Sequence, residues 1–322
     1  MRIVFSGSIA FDYLMTFPGY FKDHILPDKL ESLSLSFLTD SMTRHRGGTA
    51  PNIAYNHALL GGRATVLGTV GQDFGEYRAW LDSAGVDTGG IVEIADEFTA
   101  SFFANTDRSN AQIASFYPGA MAHAAQLTLA DLPFTPDLVV ISPDDPGAMS
   151  ARVRECQQMA IPYLYDPSQQ IVRMELEDLH TGISGADMLV VNDYEFSLIN
   201  EKLGLDETAI TEGGVVLGIT RGENGAVILA KGARHETPAI PPVELRDPTG
   251  VGDAFRGGFL RGVAADLPWE MCGMVGSLAA TYCLEQVGTQ NHTYTPPAFA
   301  ERFRIHFDDE GALDVLLDQQ KQ

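Results

Sequence analysis

The residues best suited to chemistry lie in one short stretch, Asp247–Phe255, with the sequence DPTGVGDAF. Gly250 and Gly252 allow the backbone to turn tightly, and a helix-compatible run begins at Ala254. A glycine-rich turn at the start of a helix points unpaired amides at one place, where the helix dipole also favours negative charge. The stretch therefore predicts a phosphate-binding loop.

Asp253 is the unexpected residue of this loop, because it puts a carboxylate beside a site suited to anions. One interpretation is that Asp253 only caps the following helix. In the other, Asp253 takes a proton from a hydroxyl group while the amides of Gly250, Val251 and Gly252 stabilise a phosphoryl group in transfer. The residues of the loop alone leave both interpretations open.

The composition of the chain limits its function. The 322 residues, 45% of them apolar, suffice for one large α/β domain or two average ones. A formal net charge of −22 argues against binding to nucleic-acid backbones or anionic membranes. Cys156, Cys272 and Cys283 lack metal-site spacing, which predicts buried free thiols in a reducing cytosol. Gly7 interrupts the first apolar run, so we expect a soluble cytoplasmic protein with a small-molecule substrate.

Short apolar strands must carry the polar residues at their ends. Runs such as Arg2–Ser8, Asp187–Asn192 and Val215–Thr220 alternate with helical segments. This pattern predicts a three-layer α/β fold whose central sheet is mostly parallel and buried on both faces. Further predicted strands are 64–71, 137–142, 162–166 and 226–230, and a helix is predicted near 76–84.

Two β-rich segments interrupt this pattern. The alternation in Leu33–Phe37 predicts a half-exposed strand, and Phe98–Asn105 with Gln112–Tyr117 predicts a β-hairpin. We expect these segments to form a small sheet that covers a ligand as a lid or contacts another subunit. The predicted domains are 13–47 and 96–117 for the lid, and 1–12, 48–95 and 118–322 for the large domain.

Near the amino terminus, polar residues follow a predicted strand and a glycine pair. Asp12 comes shortly after the first strand, where ligands of α/β sheets bind, but a solvated turn residue is the alternative. Gly47 and Gly48 precede a helix that contains Asn52. This is either a second place where the backbone approaches a ligand or a simple loop hinge.

Two later strands also end in polar residues. Asn192 and Glu195 have the spacing of a capping box, which competes with a role in ligand binding. The segment Thr220–Gly225 has the hydroxyl and glycine composition of a nucleotide contact, and a hairpin turn is the alternative.

Together, these motifs resemble the ribokinase-like (PfkB) family of carbohydrate and nucleoside kinases over essentially the whole chain. The turn Gly47–Asn52 resembles the first family signature, Asp247–Phe259 resembles the second, and the NxxE sequence from Asn192 resembles the magnesium motif. Within the family, segments such as Ala111–Met121 and Asp166–Gln170 resemble most the bacterial adenosine kinases of the actinobacterial type.

The resemblance implies an adenosine kinase with a ribokinase-like fold. The implied reaction transfers the γ-phosphoryl group of ATP to the ribose 5′-hydroxyl of adenosine, giving AMP and ADP. Asp253 would be the base, and the amides of Gly250, Val251 and Gly252 the anion hole. The implied cofactors are ATP, Mg²⁺ and K⁺, and the implied assembly is a homodimer through the lid.

The resemblance also implies the remaining site residues. Those for adenosine are Ser8, Asp12, Gly48, Asn52, Phe102, Phe116, Gln169 and Gln170, and those for ATP are Asn192, Glu195, Thr220, Gly222 and Gly225. Glu195 would hold Mg²⁺ through water, and Asp247 would contribute to a monovalent-cation site. A broader nucleoside or sugar kinase, with cytidine, ribose or fructose as acceptor, is the alternative within enzymes. A nucleotide-binding regulator without catalysis is the alternative from another class.

Overall fold

The computed structural model describes residues 1–25 and 34–318, which form two β-sheets and the helices around them. The strands are β1 (Arg2–Ser6), β2 (Ala10–Thr16), β3 (Ser41–Gly47), β4 (Arg63–Val70), β5 (Val86–Glu93), β6 (Ala100–Thr106), β7 (Gln112–Tyr117), β8 (Leu138–Ile141), β9 (Tyr163–Tyr165), β10 (Met188–Asn192), β11 (Val216–Thr220), β12 (Ala226–Ala230) and β13 (Ala233–Thr237). The helices are α1 (Thr49–Leu59), α2 (Gly75–Ser83), α3 (Pro146–Met159), α4 (Leu176–Ser184), α5 (Asp193–Leu203), α6 (Glu207–Glu212), α7 (Val251–Ala264), α8 (Trp269–Leu284), α9 (Pro296–His306) and α10 (Asp314–Asp318).

The large sheet has the strand order β13-β12-β11-β10-β9-β8-β1-β4-β5. Its strands run parallel except for β12, which pairs antiparallel with β11 on one side and with the edge strand β13 on the other. Both faces are covered: in β1, Ile3 and Phe5 point into a core shared with α1, α2, α7 and α8. Val4, between them, points into a second core with α3, α4, α5 and α6. The predicted three-layer α/β fold with a mostly parallel sheet is therefore confirmed.

The small sheet has the strand order β3-β2-β6-β7. The predicted hairpin is present as the antiparallel pair β6 and β7. Strand β2 pairs parallel to β6 and antiparallel to β3. Because β2 begins at Ala10, the predicted boundary at residue 12 falls inside this strand.

The predicted strand Leu33–Phe37 is wrong over residues 34–37, and Leu33 lies outside the described residues. Residues 34–37 have no strand partner, and Phe37 instead packs edge-on against Phe17 and Phe21, with ring centroids 5.0 Å apart in each case. Alternating apolar residues are equally compatible with an extended loop that is anchored by an aromatic side chain. The strand of this region is β3, which starts further on, at Ser41.

All three cysteines are buried and free, as predicted. Among the described helices, none combines the length and apolarity needed to cross a membrane.

Helices α1 and α7 approach each other closely, and this contact matters because they carry Asn52 and Asp253. Gly257 of α7 lies against α1: a Cβ atom built at Gly257 would be 2.5 Å from the Cβ of Asn56 and 2.6 Å from the carbonyl oxygen of Ile53. Only a residue without a side chain fits this contact. The two helices therefore hold their first turns close together at the edge of the sheet.

We expect Gly257→Ala to destabilise the protein by about 1–3 kcal/mol, because the added methyl group must push α1 and α7 apart. Urea denaturation measures this loss. Gly75→Ala in α2 is the matched control: beyond its chain neighbours and the backbone of its own helix, no described heavy atom comes within 4 Å of a Cβ at Gly75. Since alanine favours helices over glycine, this control should be as stable as the wild type or slightly more stable. Equal stability of both variants would show that the helices can separate at no cost.

Candidate active site

Residues of the predicted site gather at one edge of the large sheet. Strands β8, β9, β10 and β11 run parallel to one another. Ile141 pairs with Tyr165 at the ends of β8 and β9, and Asn192 pairs with Thr220 at the ends of β10 and β11. Their carboxyl ends therefore lie side by side, and ligands of such sheets bind beyond these ends. Asp166, directly after β9, joins the same edge.

The turn before α7 presents backbone donors that have no partner within the helix, and the anion hole of Gly250, Val251 and Gly252 stays a prediction. Gly250 is the N-cap of α7 and has φ 77°, a left-handed conformation that favours glycine. The amide of Ala254 donates to the carbonyl of Gly250 at 2.9 Å. The amides of Val251, Gly252 and Asp253 come before that bond and therefore have no partner within the helix. These amides can donate hydrogen bonds to an anion that lies between them.

Asp247 fixes this turn from the preceding loop. Its Oδ1 accepts a hydrogen bond from the amide of Thr249 at 2.9 Å, and its Oδ2 accepts one from the amide of Gly288 at 2.9 Å. Partial burial alone would raise the pKa of Asp247, but the hydrogen bonds from Thr249 and Gly288 outweigh it, so the pKa is lowered. The carboxylate is therefore ionised, and its role at a monovalent cation stays a prediction.

Asp253 does not cap α7. The N-cap position belongs to Gly250, and no side chain accepts a hydrogen bond from the first turn as a cap. Instead, Oδ2 of Asp253 accepts a hydrogen bond of 2.9 Å from Nδ2 of Asn52, and its Oδ1 lies 4.0 Å from Nη1 of Arg256. Burial raises the pKa of Asp253 to about 6, against the opposing effects of Arg256 and Asn52. A carboxylate with a pKa near neutrality is suited to act as a general base.

Arg256 joins three carboxylates and was given no role by the sequence analysis. Its Nη2 lies 2.7 Å from Oδ1 of Asp166 and 3.9 Å from Oε2 of Glu195, while Nη1 faces Asp253. The Asp166 side chain is fully buried and that of Arg256 is 8% exposed. Burial raises the pKa of Asp166, and the adjacent guanidinium opposes this rise by favouring the ionised carboxylate. The sequence did contain one indication of this role: Asp253 and Arg256 are three residues apart, which places both on one face of α7.

Glu195 and Asn192 form the capping box that was one of the two interpretations. The amide of Glu195 donates to Oδ1 of Asn192 at 2.8 Å, and Oε2 of Glu195 accepts from the amide of Asn192 at 2.8 Å. Oε1 of Glu195 also accepts from the hydroxyl of Ser168 at 2.9 Å. The carboxylate keeps further lone pairs, so the capping box and a water-mediated metal role are compatible.

The segment Thr220–Gly225 is a hairpin turn between β11 and β12, which was the alternative interpretation. Within it, the amide of Arg221 donates to the carbonyl of Gly225 at 2.7 Å. Thr220 also ends a parallel strand beside Asn192. Contacts of Thr220, Gly222 and Gly225 with ATP stay predictions.

The first glycine turn brings Gly48 against Ser8. Gly48 is the N-cap of α1 with φ 91°, and a Cβ atom there would lie 2.4 Å from the carbonyl oxygen of Ser8. The hydroxyl of Ser8 accepts a hydrogen bond from the amide of Thr49 at 3.3 Å. A loop hinge does not explain so close an approach, which positions Ser8 beside the first turn of α1.

Asp12 lies in a row of side chains across the small sheet, rather than in a turn. In the strand register, Asp12 pairs with His45 on one side and with Phe102 on the other, and Phe102 pairs with Phe116. Paired residues point to the same face of a sheet. Burial raises the pKa of Asp12, and His45 lowers it. The predicted aspartate and both phenylalanines therefore share one face, and Phe116 is 48% exposed.

Gln169 and Gln170 differ in their surroundings. Both belong to the short 3-10 helix Ser168–Val172 after β9. The side chain of Gln169 is exposed, whereas Gln170 is 5% exposed and its Oε1 has no hydrogen-bond partner among the described residues. Roles for these glutamines at the purine stay predictions.

Comparison with known proteins identifies the family. A profile of the pfkB family carbohydrate kinases matches residues 16–296. The chain belongs to this family. A nucleoside kinase of Methanothermobacter thermautotrophicus is 30% identical over 308 residues, 94% of this chain and 96% of that protein. A Burkholderia thailandensis nucleoside kinase, solved with inosine, has a TM-score of 0.84 at 34% identity, covering 95% and 98% of the two chains.

The fold of this pfkB family member is also that of the ribokinases. The ribokinase of Cryptococcus neoformans, solved with ADP, superposes with a TM-score of 0.78 at 20% identity, over 94% of this chain and 99% of that one. The resemblance inferred from the motifs is thus confirmed for the family and the fold. Narrower similarity to the actinobacterial adenosine kinases is not supported by these relatives. The homodimer through the small sheet stays a prediction.

We expect Arg256→Met to destabilise the protein by about 3–5 kcal/mol at neutral pH, because it leaves buried carboxylates without their cation. The loss should shrink as the pH falls through about 6, since Asp253 then takes up a proton and no longer needs the guanidinium. Chemical denaturation at several pH values measures both effects. Arg234→Met is the control: Arg234 is 43% exposed in its ion pair with Glu207, so its loss should cost at most about 1 kcal/mol. Equal losses in both variants would contradict a special role for Arg256.

Proposed function

We propose that the protein is an ATP-dependent nucleoside kinase. It transfers the γ-phosphoryl group of ATP to the ribose 5′-hydroxyl of a nucleoside. The observation that carries the proposal is Asp253, a nearly buried carboxylate 14% exposed, held by Asn52 at the mouth of a turn of free amides. The comparison with known proteins supports the proposal, because the chain is similar over nearly its full length to nucleoside kinases, one of which was solved with inosine.

In the proposed reaction, Asp253 accepts the proton of the 5′-hydroxyl as the oxygen attacks the γ-phosphorus. The new oxygen–phosphorus bond forms while the bond to the bridging oxygen of ADP breaks, and ADP leaves with that electron pair. The amides of Val251 and Gly252, with that of Gly250, donate to the phosphoryl oxygens during transfer. Burial around Asp253 excludes water, which would compete as acceptor.

Magnesium fits the residues near Asp253 through one carboxylate and water. Among the described residues, no group of three or more acidic, histidine or cysteine side chains forms a cage for a metal ion. Mg²⁺ commonly keeps several waters and binds one or two carboxylates together with substrate phosphates. Glu195, fixed by Asn192 and Ser168, is the carboxylate that would hold it. When bound, Mg²⁺ neutralises phosphate charge.

The acceptor is proposed to lie between the small sheet and the edge of the large one. Asp12, Ser8 and the Gly48 backbone are suited to ribose hydroxyls, while Phe102 and Phe116 offer ring surface to the base. Ring surface discriminates weakly between bases. We therefore propose a range of nucleosides as acceptors. Adenosine as the preferred acceptor is the narrower proposal, supported by the motif resemblance alone.

Asp247 is the proposed carboxylate of a K⁺ site. Its oxygens accept amides from Thr249 and Gly288, and each oxygen retains a second lone pair. A cation there would lie next to the Gly250 turn and help to hold the turn in place.

The deciding experiment measures ADP formation from ATP and Mg²⁺, with and without K⁺, in parallel reactions. The acceptors are adenosine, inosine, cytidine, ribose and fructose. We expect turnover with several nucleosides and little with free sugars. A strict preference for adenosine would establish the narrower proposal. Preference for a sugar would refute the nucleoside assignment, and no turnover with any acceptor would favour a nucleotide-binding regulator.

We expect Asp253→Asn to lower kcat by about 10²–10⁴-fold, because the amide cannot accept the proton. Binding of ADP, measured by calorimetry, should remain. In the wild type, kcat/KM should rise with pH through about 6, as Asp253 loses its proton, and the variant should lack this limb. Asp206→Asn is the control, since Asp206 is a helix N-cap where asparagine caps equally well. An Asp253→Asn variant with wild-type kcat would refute the role of Asp253 as base.

A further inference from the structure

A chain of hydrogen bonds connects Trp80 to Asp253. Nε1 of Trp80 donates to Oε1 of Gln290 at 3.2 Å, and Nε2 of Gln290 donates to Oδ1 of Asn52 at 2.9 Å. Nδ2 of Asn52 then donates to Oδ2 of Asp253 at 2.9 Å. We name Trp80, Gln290 and Asn52 the amide relay. The motifs of the sequence gave no role to Trp80 or Gln290.

The amide relay has only one possible direction. An indole nitrogen can donate a hydrogen bond but cannot accept one. Gln290 must therefore turn its oxygen towards Trp80 and its amino group towards Asn52. Asn52 in turn must present its oxygen to Gln290 and its amino group to Asp253. With either amide reversed, donor would face donor and acceptor would face acceptor.

Burial of the two amides and a further hydrogen bond of Gln290 support this direction. Gln290 is 1% exposed and Asn52 is 4% exposed, so water cannot readily replace a lost partner. Gln290 also donates to the hydroxyl of Tyr77, which donates to the carbonyl of Gly47 at 2.9 Å. The indole ring itself is held by a stacked Tyr55, with ring centroids 6.1 Å apart.

We propose that Gln290 is a positioning residue that makes Asn52 donate to Oδ2 of Asp253. The other oxygen, Oδ1, is thereby left as the one that accepts the proton from the substrate hydroxyl. Oδ1 lies 4.0 Å from Nη1 of Arg256, beyond hydrogen-bonding distance. The assignment of Oδ1 rests on the proposed function, whereas the orientation of Asn52 does not.

Replacement of Gln290 by glutamate should reverse the relay. A carboxylate at this position can accept from Trp80, Tyr77 and Asn52, which favours its ionised form. Asn52 would then turn its amino group towards position 290 and its oxygen towards Asp253. Because an oxygen opposite a carboxylate favours the protonated acid, Asp253 should hold its proton to higher pH.

Gln290→Glu leaves the native charged and titratable groups around Asp253 in place and adds one buried carboxylate. Arg256 lies on the same helix, Glu195 on α5, Asp166 after β9 and Cys283 on α8. Asn291→Asp is the control for charge added at the surface, because it places a carboxylate at the exposed neighbour of Gln290 without entering the relay. A buried carboxylate at position 290 also repels that of Asp253 and raises its pKa directly. Trp80→Phe adds no charge, so a raised pKa of Asp253 in that variant reports the relay rather than this repulsion.

The test is a pH titration of Asp253 by ¹³C NMR in protein with carboxyl-labelled aspartate, with Asp253→Asn used to assign the signal. We expect Gln290→Glu to raise the titration midpoint by about one unit or more, and the acid limb of kcat/KM to move with it. Asn291→Asp should leave both near the wild-type values. Trp80→Phe, which removes the fixing donor, keeps an aromatic ring beside Tyr55 and Arg46 and adds no charge, should also raise the midpoint.

The outcomes separate the relay from the proposed function. An unchanged midpoint of Asp253 in either folded variant, Trp80→Phe or Gln290→Glu, would overturn the relay. Nucleoside phosphorylation by the wild type would still stand. A midpoint raised in Trp80→Phe, in a protein that phosphorylates no acceptor, would keep the orientation of Asn52 but refute the proposed function. A midpoint raised in Trp80→Phe together with a shifted acid limb of nucleoside phosphorylation supports both.

Discussion

The ion cluster around Arg256 is the interaction on which the candidate site depends. One guanidinium lies between Asp166, Glu195 and Asp253, which come from three separate elements. Buried carboxylates repel one another and lose hydration, so they stay together only if a cation lies between them. Arg256 is part of the same helix as Asp253, and the formation of α7 therefore brings this carboxylate and its counter-ion into place together. The cluster links the β9 and β10 ends of the sheet to that helix.

Close packing of α1 against α7 positions the hydrogen-bond donor of Asp253. Gly257 lets α7 lie against α1, and this contact brings Asn52 to Asp253, although 201 positions separate them in the chain. In the small sheet, Asp12 and Phe102 lie in one cross-strand row. A polar and an aromatic side chain in one row suit a ligand that has a polar part and a flat part.

Several motifs have a structural role and a proposed chemical one at the same time. Asn192 and Glu195 form a complete capping box, yet the carboxylate of Glu195 also contacts Ser168 and lies near Arg256. Asp253 shows the opposite outcome, because its carboxylate bonds to Asn52 and leaves the helix start uncapped. An uncapped helix start is unfavourable for the helix alone. It leaves amides free for an anion.

The sequence by itself determined the fold class, the hairpin of the small sheet and the position of the glycine-rich turn before α7, because periodicity, glycine pairs and strand ends are local properties. It also determined the family, since its signatures are short. Only the tertiary structure showed the capping box of Asn192 and the side-chain partner of Asp253, and it corrected residues 34–37, whose alternation had no partner strand. It also revealed Arg256 beside Asp253, and Gln290 connected to Asp253 through Asn52. Contacts such as Gln290 with Asn52, 238 positions apart, depend on how the elements pack, and no local pattern encodes that.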